Sequence, residues 1–193
     1  QPHPAFALNT QRQPLYLFDT AEQGERYKQI PDFPDTGDRT VLANDYAYAI
    51  KRLADPLNAS PMLGFMSQHI VGMKDFSERV AEAPRDIWLN LDDYAMEGLE
   101  VVDDRTLRIT VKDRYPQFVY WLAMPFFSPI APEVDRFYNN PGFADRNLTL
   151  DWWPVGSGPF MMVKNDPNSA IVLERNPNYH EEFFPTEGAP GDL

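Results

Sequence analysis

The chain has 193 residues, 43% hydrophobic and 13% aromatic, enough for one sizeable core or two smaller ones sharing an interface, and this excludes a disordered tail. Acidic residues outnumber basic ones 29 to 17, and the net charge of −12 repels phosphate backbones and anionic lipid while suiting a cationic or zwitterionic partner. With no cysteine, disulfides, thiol nucleophiles and cysteine-held metals are excluded, and the redox compartment is left open.

The 19 prolines and 10 glycines follow no period, which predicts a loop-rich fold of short elements. Residues 1–40 have few periodic apolar positions and read as an extended arm or insertion. Gln1-Pro2-His3-Pro4 is not a signal peptide, and the turn-rich stretch 30–38 argues against any helix there. From Ala43 the spacing of Tyr46, Ala49, Ile50 and Leu53 predicts a helix, with Lys51 and Arg52 complementing its dipole and Asp55-Pro56 ending it. Ser60-Pro61 predicts the N-cap and first residue of a second helix through Met62, Phe65, Met66 and His69, and a third over about 74–80 follows Gly72.

The next section reads as sheet. Residues 99–102 and 106–111 predict a hairpin around Asp103-Asp104-Arg105, with Leu107, Ile109 and Val111 on its buried face. Pro116 starts a short aromatic helix with Phe118, Trp121 and Leu122, and Pro132-Glu133 starts another that ends near Tyr138. A second hairpin is predicted from 160–163 and 171–174, with Asn165-Asp166-Pro167-Asn168 as its turn. The chain after Glu181 reads as a polar linker. The longest apolar run, Phe118 to Met124, is too short to span a bilayer. The fold class is α/β in the mixed α+β sense.

Chemistry-bearing motifs are sparse. His3, His69 and His180 are far apart and match no metal-ligand spacing, so no metal site is expected, and His69 reads as a half-buried helix residue. The pairs Asp92-Asp93, Asp103-Asp104 and Glu181-Glu182 are sequence neighbours and do not span a cleft as a glycosidase pair does; Asp103 and Asp104 read as turn formers. Gly156-Ser157-Gly158-Pro159 lacks the Lys-Ser/Thr of a phosphate loop, and Val155 removes the glycine of a hydrolase elbow. Trp152-Trp153, with Phe126-Phe127, fits either core packing or a stacking platform for sugar or peptide side chains.

Three blocks, in order, resemble family 5 of the bacterial extracellular solute-binding proteins, the oligopeptide, dipeptide and nickel binders. The first runs from Leu42-Ala43-Asn44-Asp45-Tyr46 through Arg52-Leu53-Ala54-Asp55-Pro56, the second is Val101-Val102-Asp103-Asp104-Arg105-Thr106-Leu107-Arg108-Ile109, and the third joins Val155-Gly156-Ser157-Gly158-Pro159-Phe160 to Leu173-Glu174-Arg175-Asn176-Pro177-Asn178-Tyr179. Leu42 departs from the family's helix-capping Thr, so another residue such as Thr40 is expected to cover that helix end.

The resemblance implies part of a two-lobed periplasmic-binding-protein fold of type II, with short helices packed on small hairpin-containing sheets. The chain is then divided into an arm or insertion (1–40), a small helical and hairpin subdomain of the first lobe (41–130), and a segment returning to the main first-lobe sheet (131–193). It implies a periplasmic, non-catalytic subunit of an ABC importer that encloses a peptide or other small solute by lobe closure and delivers it to permease subunits, with no cofactor, no nucleic-acid partner and no membrane insertion of its own. By the same resemblance Met62 occupies an aromatic ligand-contact position of oligopeptide binders. Met62, Phe65, Trp152 and Trp153 are the candidate ligand-binding residues. A carbohydrate-binding module or acid-pair glycoside hydrolase, resting on the Trp pair and the acidic surplus, is the alternative.

Overall fold

Helix α1, Ala43–Ala54, is the hub of the computed structural model, which describes residues 1–85, 88–180 and 182. Its inward face buries Ala47, Tyr48, Ile50, Leu53 and Ala54. The start of α1 is capped by neighbours instead of by Thr40. The Asp45 Oδ2 accepts the Leu42 N–H at 2.8 Å, and the Asp104 carbonyl accepts the Ala43 N–H at 2.8 Å. Thr40 uses its own carbonyl as an acceptor for Arg39. At the other end the Asp55 carboxylate accepts the Leu57 N–H, which turns the chain out of the helix before Pro56 can be asked for a hydrogen bond.

Helices α2, Leu63–His69, and α3, Met73–Ala81, pack beside it. The expected start of α2 is shifted: the Ser60 hydroxyl accepts the Met62 N–H and the Ser60 carbonyl accepts the Leu63 N–H, forming a turn that delays the helix to Leu63. Gly72 separates the two helices at φ 70°, where a Cβ would lie 2.8 Å from that of Glu97. Strands β1, Leu99–Asp103, and β2, Thr106–Ile109, form the first hairpin, with Leu99 opposite Ile109. The second strand stops at Ile109, and Val111 instead bridges Ile70 at the end of α2. Helix α4, Phe118–Trp121, leaves Leu122 in the following turn; α5 is Pro132–Tyr138.

Strands β3, Phe160–Asp166, and β4, Ala170–Arg175, are longer than expected. Pairing continues through Asn165 and Asp166, so the turn closes one step later, where Asp166 accepts the Asn168 N–H. The two hairpins form separate two-stranded sheets.

Two apolar clusters hold these elements. The first gathers Tyr48, Ile50, Leu53, Met66, Met73, Phe76 and Phe127 from the middle of the chain. The second joins Val134, Phe137, Phe143, Leu148 and Trp153 to Ala5, Ala7, Tyr16, Tyr27 and Phe33. Residues 1–40 are thus packed, with Tyr27 stacked on Phe33 at 4.0 Å and Phe33 edge-on to Phe137 at 5.2 Å. The stretch 30–38 is not free of helix either: Ile30–Asp32 makes a single 3-10 turn, short enough to tolerate Pro31 near its start.

A buried carboxylate joins the clusters. Asp135 on α5 accepts from Tyr48 Oη at 2.8 Å, Trp88 Nε1 at 2.8 Å and Arg52 Nε at 2.9 Å. Burial and this neighbouring carboxylate raise the Tyr48 hydroxyl well above its usual range, so it stays a donor.

Candidate ligand-binding site

Where the N-termini of α1 and α5 converge, Arg39 fills the gap. Its Nη1 and Nη2 donate to Asp45 at 2.9 and 2.7 Å, its Nε and Nη2 to Glu133 at 2.9 and 2.7 Å, and its Nη1 also to the Thr40 carbonyl. All five guanidinium N–H groups are therefore used, and the hydrogen bond to Asp45 holds Arg39 cationic far beyond neutral pH.

Arg39 walls one end of a cavity of about 370 Å³ that also exposes Asp38, Val41, Ile130, Leu150 and Ser157. A second hollow of about 420 Å³, reaching Ser60, Pro61, Phe126 and Pro154, shares Pro129, Ile130, Leu150 and Val155 with it. The two form one trough over an Ile130–Leu150–Val155 floor, polar at the Asp38 end and apolar at the Phe126 end. This is the usual build of a small-molecule site, apolar walls with a few placed polar groups.

The polar end is shaped by a buried asparagine. Asn176 donates its Nδ2 to the Gly158 carbonyl at 2.8 Å and its N–H to the Pro159 carbonyl at 2.8 Å, and its Oδ1 accepts the Asn178 N–H. Asn178 in turn donates to Asp38 at 2.7 Å. These bonds fix the Gly156-Ser157-Gly158-Pro159 turn with the Ser157 backbone N–H and C=O free of protein partners among the described residues. Gly158 faces open space, and a Cβ added there would meet nothing within 4 Å. Exposed backbone donors and acceptors beside an apolar floor suit a ligand that itself carries amide groups.

The sequence matches the family described as "Bacterial extracellular solute-binding proteins, family 5 Middle" over residues 33–190. The chain belongs to this family. Among curated family 5 relatives it is 29% identical over 140 residues to the periplasmic oligopeptide-binding protein OppA of Salmonella typhimurium, covering 72% of this chain and 23% of that protein. It is 26% identical over 142 residues to a probable deoxycholate-binding periplasmic protein, YgiS, of Escherichia coli, covering 73% and 23%. The chain thus spans about a quarter of the length of such relatives. Among solved structures it is similar to Haemophilus influenzae OppA in complex with the peptide RPPGFSPFR, with TM-score 0.52, 23% identity, and 72% and 24% of the two chains covered. The murein tripeptide binding protein MppA of Escherichia coli gives TM-score 0.52 and 23% identity over 73% and 24%. These likenesses carry the type II periplasmic-binding-protein fold to this chain.

The four expected contact residues fall in two places, and none of them lines the trough. Met62 and Phe65 are half-buried against the first cluster, next to the Ser60-Pro61 rim. Phe65 sits 4.9 Å from Trp121 in an aromatic ridge that continues through His69, stacked on Tyr115 at 4.5 Å. Trp152 and Trp153 belong to the second cluster, just before Pro154 at the other rim. Trp153 is only 6% exposed, so its ring is core packing, while Trp152 is half-buried against the same cluster. Asp103 is a turn former, accepting from the Arg105 N–H and the Thr106 hydroxyl. Sequence reading misses Arg39, Asp38 and Asn176 as shapers of the trough, although Asn176 stands in the third family block and Gly156–Gly158 opens it.

Proposed function

We propose that the chain forms part of the ligand-capturing unit of a periplasmic, peptide-type ABC importer, that its trough supplies one wall of the solute site, and that it hands solute to a membrane permease without a catalytic step. Family membership over residues 33–190 carries this reading. It is supported by the trough, where unpartnered backbone groups at Ser157 and the Asp38 carboxylate face an apolar floor. Amide-rich, zwitterionic peptides match both features. Closure of a facing lobe over such a wall would bury the ligand and generate the form a permease distinguishes from the open one.

The names of relatives range over oligopeptides, deoxycholate and heme, so ligand class is what the experiment must decide. The polypeptide that carries these residues is heated with short peptides, sugars, nickel, deoxycholate or heme. At about 100 times Kd a ligand adds about 2.7 kcal/mol of stability, easily seen as a rise in Tm. A rise with peptides is the expected result; a rise with sugars alone overturns the peptide reading.

A further inference from the structure

A second cavity, of about 640 Å³, opens on the opposite side of α5 from the trough. Val134 faces the trough, while Asp135 and Arg136 line this cavity; Val134 and Arg136 are about 200° apart around the helix. Three guanidinium groups, those of Arg52, Arg85 and Arg136, converge here in a chain whose net charge is −12.

Among the described residues the cavity has more donors than acceptors. Arg52 gives only its Nε to Asp135, which leaves both of its Nη groups without an acceptor among the described residues. Arg85 gives Nη1 and Nη2 to Asp55 at 3.1 and 2.9 Å and Nη2 also to the Val80 carbonyl, but its Nε is buried with no hydrogen-bond partner. Arg136 lies over the face of Trp88 at 5.4 Å and makes no side-chain hydrogen bond or ion pair among the described residues. Of the described carboxylates that line the cavity, Asp135 is taken by Arg52, Tyr48 and Trp88 and Asp55 by Arg85 and the Leu57 N–H, which leaves Asp19 at the exposed edge. The Asn140 amide is also used up, donating to the Tyr16 and Phe137 carbonyls and accepting from the Phe18 N–H.

We propose that this cavity is a second binding site, taking a small organic anion whose carboxylate or phosphate oxygens are held by Arg136 and the spare N–H groups of Arg52 and Arg85. A guanidinium fork matches the geometry of a planar or tetrahedral oxyanion, and the Trp88 face holds that of Arg136 in place before a ligand arrives. Asp19 lines the exposed part of the same cavity and opposes the anion. Arg85, Arg136 and Trp88 lie outside the trough, and only Arg52 and Asn58 border both hollows, so the anion-holding groups stand largely apart from the solute wall of the transport reading.

The test is isothermal titration of the chain with citrate and with inorganic phosphate at about 0.1 M salt, where surface charge effects are damped. Arg136→Gln is expected to weaken binding about tenfold, as loss of a charge-assisted hydrogen bond does. Asp19→Asn is expected to tighten it, and Lys74→Gln, on the far exposed face of α3, to leave it unchanged. Citrate binding without phosphate binding identifies a carboxylate site, and the reverse a phosphate site. If Arg136→Gln fails to fold, tightening by Asp19→Asn with Lys74→Gln unchanged decides in favour. No saturable binding of either anion, or equal weakening by Arg136→Gln and Lys74→Gln, overturns the proposal.

Discussion

Arg39 and Asp45 meet in a two-point fork, Nη1 to Oδ2 at 2.9 Å and Nη2 to Oδ1 at 2.7 Å, with the Asp45 side chain only 4% exposed. Asp45 also caps α1 through the Leu42 N–H, so one carboxylate starts the helix and anchors the trough wall. Arg39→Met leaves that buried charge half-satisfied and is expected to cost about 2–4 kcal/mol, read as a lower urea midpoint with an unchanged m-value. Arg39→Lys is expected to recover little, because an ammonium cannot hold Asp45 and Glu133 in paired bonds at once. Recovery of wild-type stability by the Lys variant contradicts the fork.

Two glycines separate a backbone need from an open space. At Gly37 a Cβ would lie 2.2 Å from the Phe6 carbonyl oxygen, where the chain forms its bridge with His3. Gly37→Ala therefore has to move backbone and is expected to destabilise by about 2 kcal/mol or more. Gly158→Ala meets nothing within 4 Å and is expected to change stability by less than about 1 kcal/mol. Thermal unfolding of the two variants side by side checks the contrast.

The helices and hairpins are readable from sequence because their signals are local: Pro132 at a first helical position, Gly72 at a positive φ, and the alternation of Leu107 and Ile109 with polar neighbours. What escapes sequence reading depends on distant partners. The Ala43 N–H at the start of α1 is held by the Asp104 carbonyl, and the packing of residues 1–40 depends on aromatic contacts with Phe137 and Phe143, about a hundred positions away. The trough is hidden for the same reason. Its polar residues, Asp38, Ser157 and Asn178, come from separate parts of the chain, and each alone looks like an ordinary loop residue. Met62 and the Trp pair stand out as large side chains, yet size leads to a core as readily as to a site.

Ser157 gives the trough a direct test. Its side chain is exposed and unbonded at the polar end, so Ser157→Trp adds bulk into the cavity with little strain on the turn. The expected outcome is at least a tenfold loss of affinity for whichever solute raises Tm, with the unfolding free energy of the ligand-free protein within about 0.5 kcal/mol of wild type. Unchanged affinity would place the solute elsewhere.

His3 sets a pH limit on the second cluster. Its Nδ1 accepts the Ala5 N–H at 3.1 Å, so the proton sits on Nε2, which faces the Tyr138 hydroxyl at 3.0 Å; that hydroxyl donates to the Trp153 carbonyl. Burial pushes the imidazole down to about 3 from its usual 6.5. Between those values the unfolded chain binds a proton that the folded chain refuses, so stability is intact above about pH 6.5 and falls as pH drops toward 3. One such proton is worth up to about 1.4 kcal/mol per pH unit. His3→Gln cannot take that proton. Its unfolding free energy, followed by urea titration from pH 7 to 4, is expected to start about 1–2 kcal/mol below wild type from the altered hydrogen bonds and then to fall less steeply, so that the two curves converge at acid pH. Parallel curves would show that the second cluster accommodates the imidazolium.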